Sequence, residues 1–304
     1  MCFAKIFNME KVEFIAEVSS NHNGDLDRCL RFVEEAKNCG CSGVKFQLFK
    51  IDQLFAPEIL RYSKEHRKRK EWELPVEFLP EISKKCREMD IKFICTPFYL
   101  DGVSELEPFV DAYKIASYEL LWYELFKKCA LTGKPVIMST GMATLDEIDA
   151  SVNVLVDNGC KDITILQCTS SYPTPPNQCN LSAIETMSNA IKVPKGASLR
   201  FGWSDHSVNE GVILRAIHKW NAEMVEFHFD LDEKGEEYKF GHCWLPDRIK
   251  NLIKIVKDGF SADGDGVKAP QENELDERNW RADPEDGLRP IKQTRIKWLK
   301  QYEK

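Results

Sequence analysis

The chain has 304 residues, of which 43% are hydrophobic and 30% charged, which suffices for a large buried core and a well-solvated surface. Its formal net charge of −7 argues against non-specific nucleic-acid binding, which needs a basic field, and no apolar stretch approaches the roughly 20 residues of a membrane span. The N-terminus lacks the apolar region of a signal peptide. The eleven cysteines are scattered along the chain, which is typical of a cytoplasmic protein with reduced thiols.

Short runs rich in Val, Ile and Phe alternate along the chain with longer helical patterns, as expected for buried parallel strands and their crossover helices. In chain order the runs lie at 12–18, 43–49, 91–96, 110–116, 135–139, 162–168, 199–203 and 223–229. Asp25 and Asn180 are predicted helix N-caps, and Thr144 with Glu147 forms a capping box. Eight strands, each followed by a helix, predict an α/β fold, a (β/α)8 TIM barrel over residues 1–260. An open doubly wound sheet is the alternative, but no glycine-rich nucleotide fingerprint supports it.

Two segments lie outside this alternation. Residues 50–74 show little periodicity and carry a basic run, HRKRK, at 66–70. This segment is either a solvated loop or a lid over the barrel mouth. Residues 261–304 are predicted to be a polar tail that ends in a short basic helix near 291–302, without a second domain.

Two lysines interrupt predicted strands that are otherwise apolar. Lys45 lies on the second strand and Lys114 on the fourth. A buried charge is costly unless it is paired or bound to something, and the carboxyl ends of barrel strands form the active site. Two ammonium groups there would suit a phosphate or a carboxylate. The alternative is that each lysine makes a structural ion pair with Glu17 or Glu226.

Two histidines end adjacent predicted strands. His206 follows the seventh strand and His228 ends the eighth, close in sequence to Asp205 and Glu226. Imidazoles in this arrangement can hold a divalent cation, with carboxylates or waters completing the shell. The alternative for each is a hydrogen-bonded histidine of the core.

At these residues the sequence resembles the sialic acid (N-acetylneuraminate) synthase family. The resemblance covers the barrel and rests on eight motifs, which occur in the right order at the ends of the predicted strands. They are IAEVSSNHNGD at 15–25, GVKFQLFK at 43–50, CTPF at 95–98, YKIAS at 113–117, GKPVIMSTGMAT at 133–144, LQCTSSYPTPP at 166–176, GWSDHS at 202–207 and VEFHF at 225–229. Each motif is weak alone, but eight in the right order are highly specific.

The resemblance implies an enzyme that condenses phosphoenolpyruvate with an N-acetylated mannosamine-type sugar or a related aldose. Such enzymes use a divalent metal, Mn²⁺ or Mg²⁺, release phosphate and form a nonulosonate, a sialic-acid-like 2-keto acid. The resemblance implies metal binding by His206 and His228, and catalytic roles for Glu119 and Glu226 alongside the orienting Lys45 and Lys114. The residues that it implies in substrate binding are Lys45, Gln47, Thr96, Lys114, Ser117, Ser139 and Ser204, with Asn23 and Tyr172 near the sugar.

Three departures from the family pattern concern the sugar side. The chain ends without the C-terminal antifreeze-like domain that family members commonly carry, the segment at 230–247 differs, and Tyr118 replaces a usual glycine. The acceptor is therefore left open, and a phosphorylated or shorter aldose is one alternative. An inactive barrel that serves as a scaffold is another, although retention of both lysines and both histidines argues against it. The expected partners are phosphoenolpyruvate and a sugar aldehyde, with no nucleic acid or membrane, and a homo-oligomer is left open.

Overall fold

A computed structural model describes residues 12–302 and shows eight parallel strands in that part of the chain. They are β1 Glu13–Glu17, β2 Gly43–Leu48, β3 Lys92–Pro97, β4 Ala112–Ile115, β5 Val136–Ser139, β6 Asp162–Cys168, β7 Ser198–Asp205 and β8 Met224–His228. Each strand pairs with the next and β8 pairs with β1, so the sheet closes into a barrel. The predicted (β/α)8 barrel is therefore confirmed, and every predicted run contains or overlaps a strand.

At least one helix follows each strand, and two more helices come later in the described part of the chain. They are α1 Leu26–Cys39, α2 Ile51–Leu54, α3 Pro57–Tyr62, α4 Lys64–Lys68, α5 Leu79–Glu88, α6 Leu100–Leu106, α7 Tyr123–Leu131, α8 Leu145–Asp157, α9 Ala183–Ala190, α10 Glu210–His218, α11 Pro246–Ala262, α12 Leu275–Arg278 and α13 Lys292–Tyr302. Asp25 caps α1 by accepting from the Arg28 N–H, and the Thr144–Glu147 capping box opens α8, both as predicted.

The barrel interior is filled by a layer of apolar side chains below the polar mouth. The layer comprises Ile15, Ile94, Ala112, Ile137, Leu166 and Met224. Gly202 allows close packing here, because a Cβ at that position would lie 2.2 Å from the Met224 carbonyl oxygen. Packing of this kind leaves no pore, so ligands have access only to the ends of the strands.

Two local predictions were wrong. Residues 50–74 are not an irregular loop, because they fold into α2, α3, α4 and a 3-10 turn at Arg69–Trp72. Helices of four to six residues span less than two turns, so they leave no 3.6-residue period in the sequence. Asn180 is not an N-cap: its φ is +48°, and Ser182 occupies the N-cap of α9.

The chain divides into two compact units, one that ends at Asp258 and one that begins at Gly259. The first contains the barrel. The second contains α12 and α13, and α13 corresponds to the basic helix predicted near 291–302. The ten cysteines between residues 12 and 302 are free and buried, and no helix in that range is long and apolar enough to cross a membrane.

Candidate active site

A buried chain of alternating charges occupies the carboxyl end of the barrel. The Lys45 ammonium lies 2.5 Å from Glu17 and 3.5 Å from Glu226, and Lys114 lies 3.4 Å from the same Glu226 oxygen. All four side chains are at least nine-tenths buried. The ion pairs of the alternative interpretation therefore exist. Lys45 is paired closely with Glu17, whereas Lys114 shares the Glu226 oxygen with Lys45 and so has only part of one carboxylate.

The register of the strands accounts for this arrangement. Glu17 is aligned with Lys45 on one neighbouring strand and with His228 on the other. Glu226 is aligned with Ser204 on β7. Because side chains alternate along a strand, residues two apart on β8 face the same side of the sheet. The sequence thus places Glu226 and His228 together on the inner face.

The shared carboxylate is held ionised. Burial alone would raise the pKa of Glu226, but Lys114 and Lys45 lower it to about 2. Burial would likewise lower the pKa of Lys45, whereas Glu17 and Glu226 raise it to about 12. The pKa of Lys114 is lowered by burial, against the opposing field of Glu226. The mouth thus presents ammonium groups beside a fixed carboxylate.

Glu119 differs from Glu226 in its protonation. It lies in a 3-10 turn, Ser117–Glu119, after β4. Burial raises the pKa of Glu119 to about 7, although Lys114 opposes the shift. Its Oε2 atom is buried without a hydrogen-bond partner. A carboxyl group of this kind can hold a proton near neutral pH, which is what acid–base catalysis requires.

Hydroxyl groups surround the two lysines. Thr96 is fully buried with its Oγ1 3.5 Å from the Lys45 ammonium, and the Ser204 hydroxyl lies 3.4 Å from Glu226. Ser139 is buried and its hydroxyl has no partner. Ser117 accepts a 2.9 Å hydrogen bond from the Gly141 N–H. These groups are suited to hydrogen-bond the oxygen atoms of an anion.

Gln47 and the two residues implied near the sugar, Asn23 and Tyr172, are placed differently from one another. Gln47 donates a 2.7 Å hydrogen bond to Glu17, so its amide orients that carboxylate. Asn23 is exposed and donates to the Lys234 carbonyl oxygen, which ties it to the loop after β8. Tyr172 is 41% exposed, and its ring lies 4.1 Å from that of His206. Of the three, Tyr172 lies against the candidate metal ligands.

The two predicted metal ligands face one another, with ring centroids 5.3 Å apart. Nδ1 of His206 lies 2.8 Å from the Thr169 carbonyl oxygen, and Nδ1 of His228 lies 2.8 Å from a Glu237 oxygen. Both partners only accept, so each Nδ1 carries the proton and each Nε2 keeps its lone pair. Metal-binding histidines in proteins show this outer hydrogen bond, so the donor set fits a divalent cation.

Of the two carboxylates that the sequence places near the histidines, Asp205 and Glu226, Asp205 is not available to a metal. Asp205 accepts hydrogen bonds from the indoles of Trp203 and Trp244, and from Ser207, so its oxygens are already used in the core. Glu237 lies there instead, although sequence reasoning assigned its segment, 230–247, to the sugar side. Glu237 follows β8 in a loop without periodicity. The only signal for it in the sequence was its position within residues 230–247, the segment that departs from the family pattern.

Comparisons with known proteins identify the family of this chain. The model of the NeuB family matches residues 32–268. An uncharacterised protein of Methanocaldococcus jannaschii is 37% identical over 271 residues, which are 88% of this chain and 76% of that protein. An N,N'-diacetyllegionaminic acid synthase of Campylobacter jejuni is 34% identical over 88% of this chain and 81% of its own length.

A solved structure shares the fold. The N-acetylneuraminic acid (sialic acid) synthetase of Leptospira borgpetersenii superposes with a TM-score of 0.74 and 27% sequence identity. The match covers 91% of this chain and 94% of that one. The likeness therefore extends over most of both chains.

Proposed function

This chain belongs to the NeuB family, and on that premise we propose that it condenses phosphoenolpyruvate with a sugar aldehyde to form a nonulosonate and inorganic phosphate. The observation that carries the proposal is the pair of buried ammonium groups, Lys45 and Lys114, among hydroxyls at the barrel mouth. Phosphoenolpyruvate has a phosphate and a carboxylate, and two fixed cations match two anionic groups.

The reaction joins two carbon atoms and breaks one carbon–oxygen bond. C3 of phosphoenolpyruvate attacks the aldehyde carbon of the sugar, and water adds at C2. The tetrahedral intermediate then expels phosphate with the bridging oxygen, which leaves a 2-keto acid. Lys45 and Lys114 hold the anionic groups, and Thr96, Ser139 and Ser204 fix their orientation, which favours reaction by proximity.

The two glutamates have different roles in this proposal. Glu119 holds a proton near neutral pH and gives it to the aldehyde oxygen as that oxygen gains charge. Glu226 stays ionised between the lysines, where it fixes the positions of their ammonium groups. Two carboxyl groups with well-separated pKa values can take different roles: the group with the higher pKa acts as the acid, and the other remains an anion.

A divalent cation, Mn²⁺ or Mg²⁺, held by His206 and His228 would polarise the sugar carbonyl as a Lewis acid. Glu237 and the Thr169 carbonyl fix the tautomers of the two rings so that Nε2 faces the ligand. The Tyr172 ring packs against His206, with the two ring centroids 4.1 Å apart.

The acceptor is proposed by class. Named relatives include N,N'-diacetyllegionaminic acid, pseudaminic acid and N-acetylneuraminate-9-phosphate synthases. We infer an aldose of the kind that leads to such products, and whether it is phosphorylated is decided by experiment. The test is phosphate release from phosphoenolpyruvate with a panel of free and 6-phosphorylated N-acetylated hexosamines. Release that depends on one aldose supports the proposal, and the absence of release with every aldose contradicts it.

A further inference from the structure

One carboxylate in the loop after β8 is shared by two imidazoles. An oxygen of Glu237 lies 2.8 Å from Nδ1 of His228 and 3.6 Å from Nε2 of His242. The rings of the two histidines lie 4.7 Å apart. A carboxylate that accepts from one nitrogen of an imidazole leaves the other nitrogen more basic, which is the arrangement around metal-bound histidines.

His242 has an unused nitrogen. The side chain is 4% exposed, and its Nδ1 atom is buried without any hydrogen-bond partner. Buried polar atoms in proteins are almost always satisfied, so an orphan nitrogen in a native fold indicates a missing partner. One potential ligand atom from each of His228, Glu237, His242 and Cys243 lies within 4.8 Å of the others, so His242 is close enough to His228 to share an ion with it.

The first half of the loop is fixed by a buried polar network. Asn21 accepts a 2.8 Å hydrogen bond from the Glu237 N–H, and Asp230 accepts from the Gly235 N–H. Asp230 is itself paired with the buried guanidinium of Arg28 at 2.7 Å. A Cβ on Gly235 would lie 2.3 Å from the Asn21 amide oxygen, so only glycine allows this approach.

The second half is fixed by the barrel. Trp244 forms a parallel bridge with Phe229, directly after β8, and its N–H donates to the His228 carbonyl oxygen at 2.8 Å. The Trp244 indole donates to buried Asp205 at 2.9 Å. His242 is therefore held two residues from an anchored position, and its place beside His228 is a built feature of the fold.

We propose that His242 is a third imidazole ligand of the cation site, and that Glu237 is a positioning residue that orients both His228 and His242. The inference deepens the proposed function, because it takes the pair of His206 and His228 as the same site. With three nitrogen ligands, the site is predicted to bind Co²⁺, Zn²⁺ and other imidazole-preferring ions more tightly than Mg²⁺, which prefers oxygen ligands.

The experiment measures metal binding without substrates. Co²⁺ is titrated into the full chain and followed by calorimetry and by its visible absorption, and Mg²⁺ is titrated for comparison. The variants are His242→Gln and Glu237→Gln, with Lys239→Gln, whose exposed side chain lies in the same loop, as the matched control. Because a variant can lose its fold, pulsed EPR of the Cu²⁺-loaded wild type separately counts the bound imidazoles.

We expect His242→Gln to weaken Co²⁺ binding by about 100-fold or more, since the loss of an outer-shell partner alone costs about 10–100-fold. Glu237→Gln should fall within that smaller range, and Lys239→Gln should bind as wild type does. Two imidazoles in the EPR count, unchanged affinity in His242→Gln, or an equal loss in Lys239→Gln would each overturn the proposal. If the protein binds the metal ion through three imidazoles but does not condense phosphoenolpyruvate with any aldose, only the proposed function is refuted. If the enzyme is active but binds the metal ion through two imidazoles, only this inference is refuted.

Discussion

Substitution of Lys114 by methionine tests whether the buried lysines serve a ligand or only the fold. Methionine keeps the apolar length of the side chain and removes its charge. Glu226 keeps Lys45 at 3.5 Å, so its carboxylate does not become an unpaired buried charge. We therefore expect the variant to fold and to lose phosphoenolpyruvate affinity.

The magnitude follows from burial. The Lys114 side chain is 2% exposed and lies 3.4 Å from the shared oxygen of Glu226, so solvent screens it little. Loss of a charge-assisted hydrogen bond costs roughly 1.5–3 kcal/mol after exchange with water, which is about one to two decades in affinity. The Lys128–Asp101 pair has a similar distance, 3.5 Å, but is 34% and 85% exposed. Lys128→Met is thus the matched control, with an expected effect of about 1 kcal/mol or less on stability.

The assay is phosphate release at varied phosphoenolpyruvate, with unfolding midpoints measured on the same samples. Lys114→Met should raise the KM for phosphoenolpyruvate by about 10- to 100-fold, and Lys128→Met should leave it unchanged. If Lys114→Met unfolds more easily but keeps the wild-type KM and kcat, the lysine is a structural ion-pair partner and the account of the anion site is refuted.

Three further predictions concern other parts of the site. Because the pKa of Glu119 is raised to about 7, kcat/KM should fall as pH rises through that value. Glu119→Gln should be slower than wild type and should not show this fall with pH. A fall at the same pH in the variant would exclude Glu119 as the acid. A chelator should abolish phosphate release and Mn²⁺ should restore it in wild type but not in His206→Ala, whereas activity that is indifferent to the chelator contradicts the metal role. Neutralising Arg67, Lys68 and Arg69 together should raise the acceptor KM and spare that of phosphoenolpyruvate; an unchanged acceptor KM shows that this run is only solvated.

The fold could be predicted from the sequence because barrel strands buried on both faces are continuous apolar runs. The eight runs correspond to β1–β8, with the largest differences at β4, which begins at Ala112 instead of 110, and at β7, which extends to Asp205 instead of 203. The helices between 50 and 74 could not be predicted. They are too short to show a period, and tertiary context decides their conformation.

The site was predictable where its residues lie on strands or within a few residues of their ends, and not where they lie further along a loop. Lys45, Lys114, Glu226 and His228 follow from the alternation of side chains and from the strand ends. Glu237 and His242 depend on the path of the loop after β8, which is set by contacts with residues more than 200 positions earlier, such as Asn21. No local pattern in the sequence specifies such a long-range contact.

The central claim is the carbon–carbon condensation, and product mass with isotopically labelled phosphoenolpyruvate tests it most directly. The protein is incubated with Mn²⁺, the aldose panel and phosphoenolpyruvate carrying ¹⁸O in the bridge between C2 and phosphorus. The account predicts a product with the mass of the aldose plus phosphoenolpyruvate and water less phosphoric acid, and ¹⁸O in the released phosphate. Phosphate without a condensed product, or ¹⁸O retained in the organic product, would contradict it.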